Sequence, residues 1–316
     1  MPTRLGARLR GSVMLLVLAV LCAYLTWRTP RFATVENLLN VLRTVSMPGI
    51  IALGMTLVIV AGEIDLSVGS QVAFAGCLAA WICGALGRTP AAAAVGVALS
   101  LLAGAGCGAI TGVLRVKVGV PSFITTLAWL TVLRGGAQLL NGGFTLTTFP
   151  RGYDWLGSGS LAGLPAPALV LAVVFAATWG LMNFTNFGRA VYAVGGNAEA
   201  ARLSGVNTAG VKIAVLALVA LLAALSGILQ SARLNSGNPT TAVGLELEVI
   251  SAVIIGGASL MGGSGTVGGT MLGVLFLGLL GNGMTLLDCG EYWQNVVRGG
   301  LILVAVLLNM ASQRTA

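Results

Sequence analysis

Val211–Ala232 reads VKIAVLALVALLAALSGILQSA, twenty-two residues with a single charge at Lys212. At 1.5 Å per residue such a run is ~33 Å long, enough to cross the hydrocarbon core of a bilayer. It is not alone. Runs bounded by charge, Pro or Gly clusters give ten candidate spans: Ser12–Trp27, Thr44–Ala61, Ser67–Leu86, Ala91–Val113, Val120–Leu140, Pro165–Asn183, Val211–Ala232, Leu247–Met261, Thr266–Asn282 and Trp293–Met310. Composition agrees with them. Only 17 Lys+Arg and 9 Asp+Glu occur in 316 residues, 57% of the chain is hydrophobic and 46 residues are Gly. With a mean hydropathy of +0.96 there is too little polar surface for a water-facing exterior. A soluble enzyme, a disordered tail and a nucleic-acid binder are excluded despite the net charge of +8. The expected fold class is all-α, a polytopic membrane helix bundle in one transmembrane domain over 1–316.

An even number of spans puts both termini on one side. Arg4, Arg8 and Arg10 precede the first span, and the excess of basic residues on cytoplasmic loops places both ends in the cytoplasm. Alternation then gives nine Lys/Arg to the cytoplasmic side and six to the other, with Arg134 and Arg298 inside spans. The first span has the basic start and apolar core of a signal peptide. Tyr24–Trp27 close it without a small-x-small cleavage site, so an uncleaved helix is expected. The run Leu247–Asn282 contains Gly262-Gly263-Ser264-Gly265, and reads either as two short spans joined by a glycine turn or as a re-entrant pair.

The five cysteines, Cys22, Cys77, Cys83, Cys107 and Cys289, have no metal-ligand spacing and read as small core hydrophobes. Gly104, Gly108 and Gly112, and likewise Gly265, Gly269 and Gly273, recur every four residues, a spacing that permits close helix crossings. Of two long loops, Asn141–Leu164 falls outside and 184–210 inside.

The inner loop carries a short helix with both ends marked. Asn197 is placed as its N-cap, Glu199 sits in the first turn where the helix dipole favours a negative charge, Ala200 and Ala201 are strong helix formers, and Gly205 can end it in a left-handed conformation. Two turns make a rigid peg. It reads either as a handle for another protein or as a connector lying on the membrane.

Other residues carry polar chemistry at span boundaries or within spans. Glu63 and Asp65, with Ser67, read as a helix cap or as a gate on a pathway. Gln71, Thr125, Thr126, Trp129, Gln138, Gln230 and Asn282 could line a path for a hydroxylated solute or make interhelical hydrogen bonds. Lys117 and Lys212 are the only lysines and neither completes a phosphate-binding loop, so ATP hydrolysis is not expected in this chain. No nucleophile–base pair is visible, and the chain is not read as an enzyme.

Glu199–Gly205 (EAARLSG) resembles the E-A-A-x-x-x-G pattern of ABC importer permeases. Its flank, Gly188-Arg189-Ala190-Val191-Tyr192-Ala193-Val194-Gly195-Gly196-Asn197, is similar to the ribose/xylose/galactose-type sugar permeases. So are Gly54–Ile59 (GMTLVI), Gly62–Ser70 (GEIDLSVGS), Ile255–Gly263 (IGGASLMGG) and Tyr292–Gly299 (YWQNVVRG). Ser264, Gly283-Met284-Thr285 and Asn309 depart from the common pattern of that branch and bear on the choice of sugar. The resemblance implies a permease subunit in a bacterial inner membrane. It would pass a monosaccharide from a periplasmic sugar-binding protein to the cytoplasm beside a second permease copy, identical or related. A cytoplasmic ABC ATPase would use ATP and Mg and dock on Asn197, Glu199, Ala200, Ala201, Arg202 and Gly205; this chain would bind no cofactor itself. Branched-chain amino acids are the alternative substrate, and an ion-coupled secondary transporter or an uncoupled channel the alternative mechanisms.

Overall fold

The computed structural model describes residues 4–314. Its helices are α1 (Arg4–Arg28), α2 (Val35–Val60), α3 (Val68–Ala85), α4 (Pro90–Val113), α5 (Ser122–Asn141), α6 (Trp155–Ser158), α7 (Ala166–Phe184), α8 (Asn186–Gly196), α9 (Ala198–Leu203), α10 (Thr208–Leu234), α11 (Leu245–Ile255), α12 (Val267–Leu286) and α13 (Glu291–Arg314). Leu114–Val118 continues α4 as one π-turn, and Ser160–Leu161 pairs antiparallel with Leu164–Pro165 between α6 and α7. The chain is a polytopic all-α membrane bundle.

Helix α2 lies at its centre. From Val45 to Val60 the sequence carries no charge and is apolar on every side, as a fully surrounded helix requires, and all but the half-buried Pro48 in that stretch is buried. α7, α10, α11 and α12 pack around it. Two buried hydroxyl contacts fasten it: Ser226 Oγ donates to Met47 O at 2.9 Å, next to Pro48, and Thr56 Oγ1 lies 2.7 Å from Thr270 Oγ1.

The first glycine stripe is a helix-packing seam. A Cβ on Gly104 would lie 2.6 Å from Ala224 Cβ, and one on Gly112 2.5 Å from Ile213 Cα; on Gly108 it would overlap the Leu216 carbonyl. Without side chains there, α4 and α10 approach backbone to backbone. In the second stripe, Gly269 and Gly273 of α12 press in the same way on Gly256 and Ala252, while Gly265 precedes the helix.

Seven helices among the described residues, α2, α3, α4 with its extension, α5, α7, α10 and α12, are long and apolar enough to cross a membrane, fewer than the ten runs of the sequence. The run Leu247–Met261 is the clearest departure. Only Leu245–Ile255 is helical, ~16 Å long, and 256–266 is irregular. A helix of that length cannot span the bilayer alone. It enters from 235–244, a segment held inside the bundle by Arg134, whose guanidinium donates to Pro239 O and Thr241 O at 2.7 Å each. Asn141 Nδ2 adds a bond to Gly237 O at 2.8 Å. Ser236, Gly237 and Pro239 of that segment are buried, whereas Asn235, Thr240 and Val243 are exposed; irregular backbone at membrane depth needs such protein partners for its polar groups. Ser12–Trp27 and Trp293–Met310 form parts of the helices α1 and α13. The expected siding of the termini concerns 1–3 and 315–316, which lie outside the described residues. The cysteines Cys22, Cys77, Cys83, Cys107 and Cys289 are all free.

Candidate functional site

The expected peg forms as α9. Asn197 is its N-cap, accepting from Ala200 N at 2.9 Å, and Gly205 follows its end at φ +82°. Arg202 clamps Glu199 through Nε and Nη2, at 3.0 and 2.6 Å. That bond holds the Glu199 carboxyl below the usual carboxylate range. Both side chains are exposed, whereas Ala201 is buried against the bundle.

The preceding helix α8 forms the seat. Thr185 caps it through Gly188 N at 3.2 Å, and Val191 and Val194 are buried beneath it. Gly195 is pressed between two backbones. A Cβ there would overlap the Val60 carbonyl and lie 2.7 Å from Gly263 N, and those two atoms are themselves bonded at 2.9 Å. Tyr192 OH donates to Gly265 O at 2.8 Å, and its burial pushes the phenol pKa up. Helix α8, which leads into the peg, is therefore joined without intervening side chains to the C-terminal end of α2 and to the turn between α11 and α12.

Beneath this seat Glu63 is buried, its side chain 3% exposed, and meets two cations. Arg115 Nε donates to both of its oxygens at 2.9 and 3.0 Å, and Lys212 Nζ to Oε1 at 2.7 Å. Thus Glu63 ties the turn after α2 to the π-turn after α4 and to the start of α10. Asp65 acts separately. Its Oδ1 accepts from Ser67 N at 2.8 Å and from Ser67 Oγ at 2.6 Å, and Gln71 Nε2 donates to Ser67 Oγ at 2.9 Å. Ser67 occupies the N-cap position of α3 but its hydroxyl is turned back to Asp65 and makes no cap bond, so the carboxylate holds the entry to the helix.

The polar span residues are dispersed. Gln71, Thr125 and Thr126 are buried on α3 and α5, which pack on each other; Trp129 is half-buried and Gln138 exposed on α5. Gln230 lines a water-sized space with Ser231 and Asn238. Asn282 alone among them lines a larger cleft of ≈ 200 Å³ between α2, α11, α12 and α13. Asn282 and Asn37 exchange amide bonds at 2.8 and 2.9 Å, and Arg298 Nη1 lies 3.2 Å from Glu248 Oε2 across the same cleft. Arg134 and Arg298 were visible in the sequence as charges inside spans, a signal of pairing or function. Their partners, 105 and 107 residues away for Arg134 and 50 for Arg298, were not.

A polytopic bundle of helices long and apolar enough to cross a membrane, with the capped helix α9 exposed at its surface, is the fold of an integral membrane protein. The chain belongs to the family described as "Branched-chain amino acid transport system / permease component", whose model matches residues 37–306, and within it to the ribose/arabinose-type permeases of ABC importers. It is 44% identical to the ribose import permease protein RbsC of Escherichia coli over 303 residues, 95% of this chain and 93% of that one. It is 39% identical to RbsC of Bacillus subtilis over 308 residues, 97% and 92%. Against the L-arabinose transport system permease protein AraH of Escherichia coli the identity is 38% over 301 residues, 95% and 90%. No solved structure matches the chain. The protein is a multi-pass membrane permease subunit of an ABC importer, a class that works with an ATPase and a binding protein.

Proposed function

We propose that this permease passes a monosaccharide, received from a periplasmic sugar-binding protein, across a bacterial inner membrane into the cytoplasm. Both termini and the 184–210 loop face the cytoplasm, the whole chain forms one transmembrane domain, and a second permease copy, identical or related, completes the passage. Arg115, Lys117, Arg189, Arg202 and Lys212 gather at the end of the bundle that bears α8 and α9, in keeping with a cytoplasmic face. α9 docks into the cytoplasmic ABC ATPase, which uses ATP and Mg. ATP binding moves the handle, and the handle moves α2 and the α11–α12 turn, biasing the bundle between outward- and inward-open states.

The observation that carries this reading is the Gly195 seat: a handle in backbone contact with the central helix transmits displacement, whereas a loose connector does not. The sugar rests on the relatives named for ribose and L-arabinose import. The test is uptake of labelled D-ribose, L-arabinose and L-leucine by cells carrying the intact transporter, together with co-purification of the tagged permease. Pentose uptake with an ATPase co-purifying, both lost on Glu199→Arg, is the expected result. Leucine uptake alone would move the substrate to the branched-chain amino acids of the family description, and Glu199→Arg with full uptake would remove α9 as the handle.

A further inference from the structure

The cleft between α2, α11, α12 and α13 is polar where a bilayer demands otherwise. Asn40 and Thr44 of α2 and Thr285 of α12 are exposed on it beside Glu248, Asn282 and Arg298, against an apolar wall that includes Val41, Val45, Val274 and Leu277. Thr44 lies ~24 Å along α2 from Val60, so the cleft sits in the half of the bundle remote from the handle. Other spanning helices turn apolar side chains outward: Leu99, Leu102 and Ile110 on α4, Phe123, Ile124 and Leu127 on α5. Hydrocarbon cannot satisfy amides, hydroxyls and an ion pair, so the lipid meets those apolar faces and the cleft meets water.

We propose that this cleft is the binding station, within this chain, for the transported solute, a neutral polyhydroxylated molecule of monosaccharide size. This rests on the sugar-importer reading above. The volume of ≈ 200 Å³ is below the 300–1,000 Å³ typical of drug-sized ligands and fits a small solute. The chemistry selects neutral hydroxyls. Glu248 and Arg298 neutralise one another at 3.2 Å, so a charged solute must part them, while a hydroxyl can donate to the carboxylate and accept from the guanidinium without doing so. Asn37, whose amide also donates to Phe32 O, holds Asn282 in place, and Asn282 keeps its second amide hydrogen and a lone pair for a ligand. Among the described residues, no aromatic ring lines the cleft. Without a stacking face the solute is held weakly, as passage requires of a station that must also release it.

The test is Thr44→Cys in the full-length transporter in cells, treated from outside with a charged, membrane-impermeant thiol reagent. We expect Thr44→Cys to insert and co-purify with the ATPase, to be labelled, to be protected by the transported pentose but not by L-leucine, and to lose its uptake of D-ribose or L-arabinose about tenfold or more once labelled. Leu102→Cys, on the outward apolar face of α4, is the lipid-facing control and should stay unlabelled. A functional Thr44→Cys that is not labelled, or that is labelled with uptake intact, overturns the proposal. Gly281→Leu gives an independent reading, since its new side chain enters the cleft and a Cβ there meets only the end of Arg298, at 3.3 Å. It should insert and co-purify with the ATPase yet lose uptake; wild-type uptake would again overturn the cleft. If the unmodified transporter takes up no pentose, it is the sugar reading that fails, a result distinct from a working pentose transporter indifferent to its cleft.

Discussion

Gly195→Ala tests the mechanical link most directly. The added methyl would overlap the carbonyl oxygen of Val60 and come within 2.7 Å of Gly263 N. Both are backbone atoms, so neither can rotate away, and relief requires the handle to lift from α2 or the Val60–Gly263 hydrogen bond to open. Overpacking of this kind costs about 1–3 kcal/mol, and loss of that bond about 1 kcal/mol more. Referred to the equilibrium between seated and unseated handle, ~2–4 kcal/mol is a shift of roughly 30- to 900-fold. Gly196→Ala is the control, because a Cβ at Gly196 meets nothing within 4 Å. The assay is solute uptake per ATP hydrolysed in proteoliposomes holding permease, ATPase and binding protein. Gly195→Ala should insert and assemble but lose most of its uptake, with ATP hydrolysis no longer tied to transport. Gly196→Ala should behave as wild type. Equal uptake and equal melting temperature for the two variants would refute the seat as the transmitting contact.

Other perturbations separate structure from coupling. Glu63→Gln leaves the Arg115 and Lys212 cations facing a neutral amide; breaking a buried pair costs about 3–5 kcal/mol, and the low end is expected because Arg115 is 32% exposed, seen as a lower melting temperature in detergent. Arg134→Met removes two charge-assisted bonds to Pro239 O and Thr241 O, each about 1.5–3 kcal/mol, and should raise proteolysis within 235–244. Glu199→Gln, on a fully exposed pair, should leave the melting temperature unchanged while weakening ATPase co-purification. Because Arg202 holds the Glu199 carboxyl below its ordinary range, whatever the pair adds to the peg is present above the unfolded carboxylate pKa of about 4.3 and is lost only as pH falls through the lowered folded value. Co-purification should therefore persist at about pH 5. Gly108→Leu should abolish recovery of a folded permease by forcing α4 from α10, whereas Gly106→Leu, with nothing within 4 Å of its Cβ, should be tolerated.

Local rules made much of this chain legible in sequence. Hydropathy located the spanning helices, because burial in lipid is a property of each segment's own composition. Asn197, Glu199 and Gly205 announced the peg, because caps and dipole preferences act within one helical turn. The four-residue glycine spacing announced a close helix crossing, although only the fold names α10 as the partner of Gly104, Gly108 and Gly112. What composition could not decide was whether an apolar stretch crosses the membrane or turns back within it. Leu247–Met261 is as apolar as a span, yet it ends as an 11-residue helix, because Arg134 and Asn141 on α5 supply the hydrogen bonds that let 235–244 run irregularly at depth. The same holds for charge. Glu63 reads in sequence as a boundary carboxylate, and only tertiary structure brings it Arg115 and Lys212 from 52 and 149 residues away. The cleft exists for the same reason: Thr44, Glu248, Asn282 and Arg298 lie on four helices, and no periodicity within any one of them records that their polar sides converge.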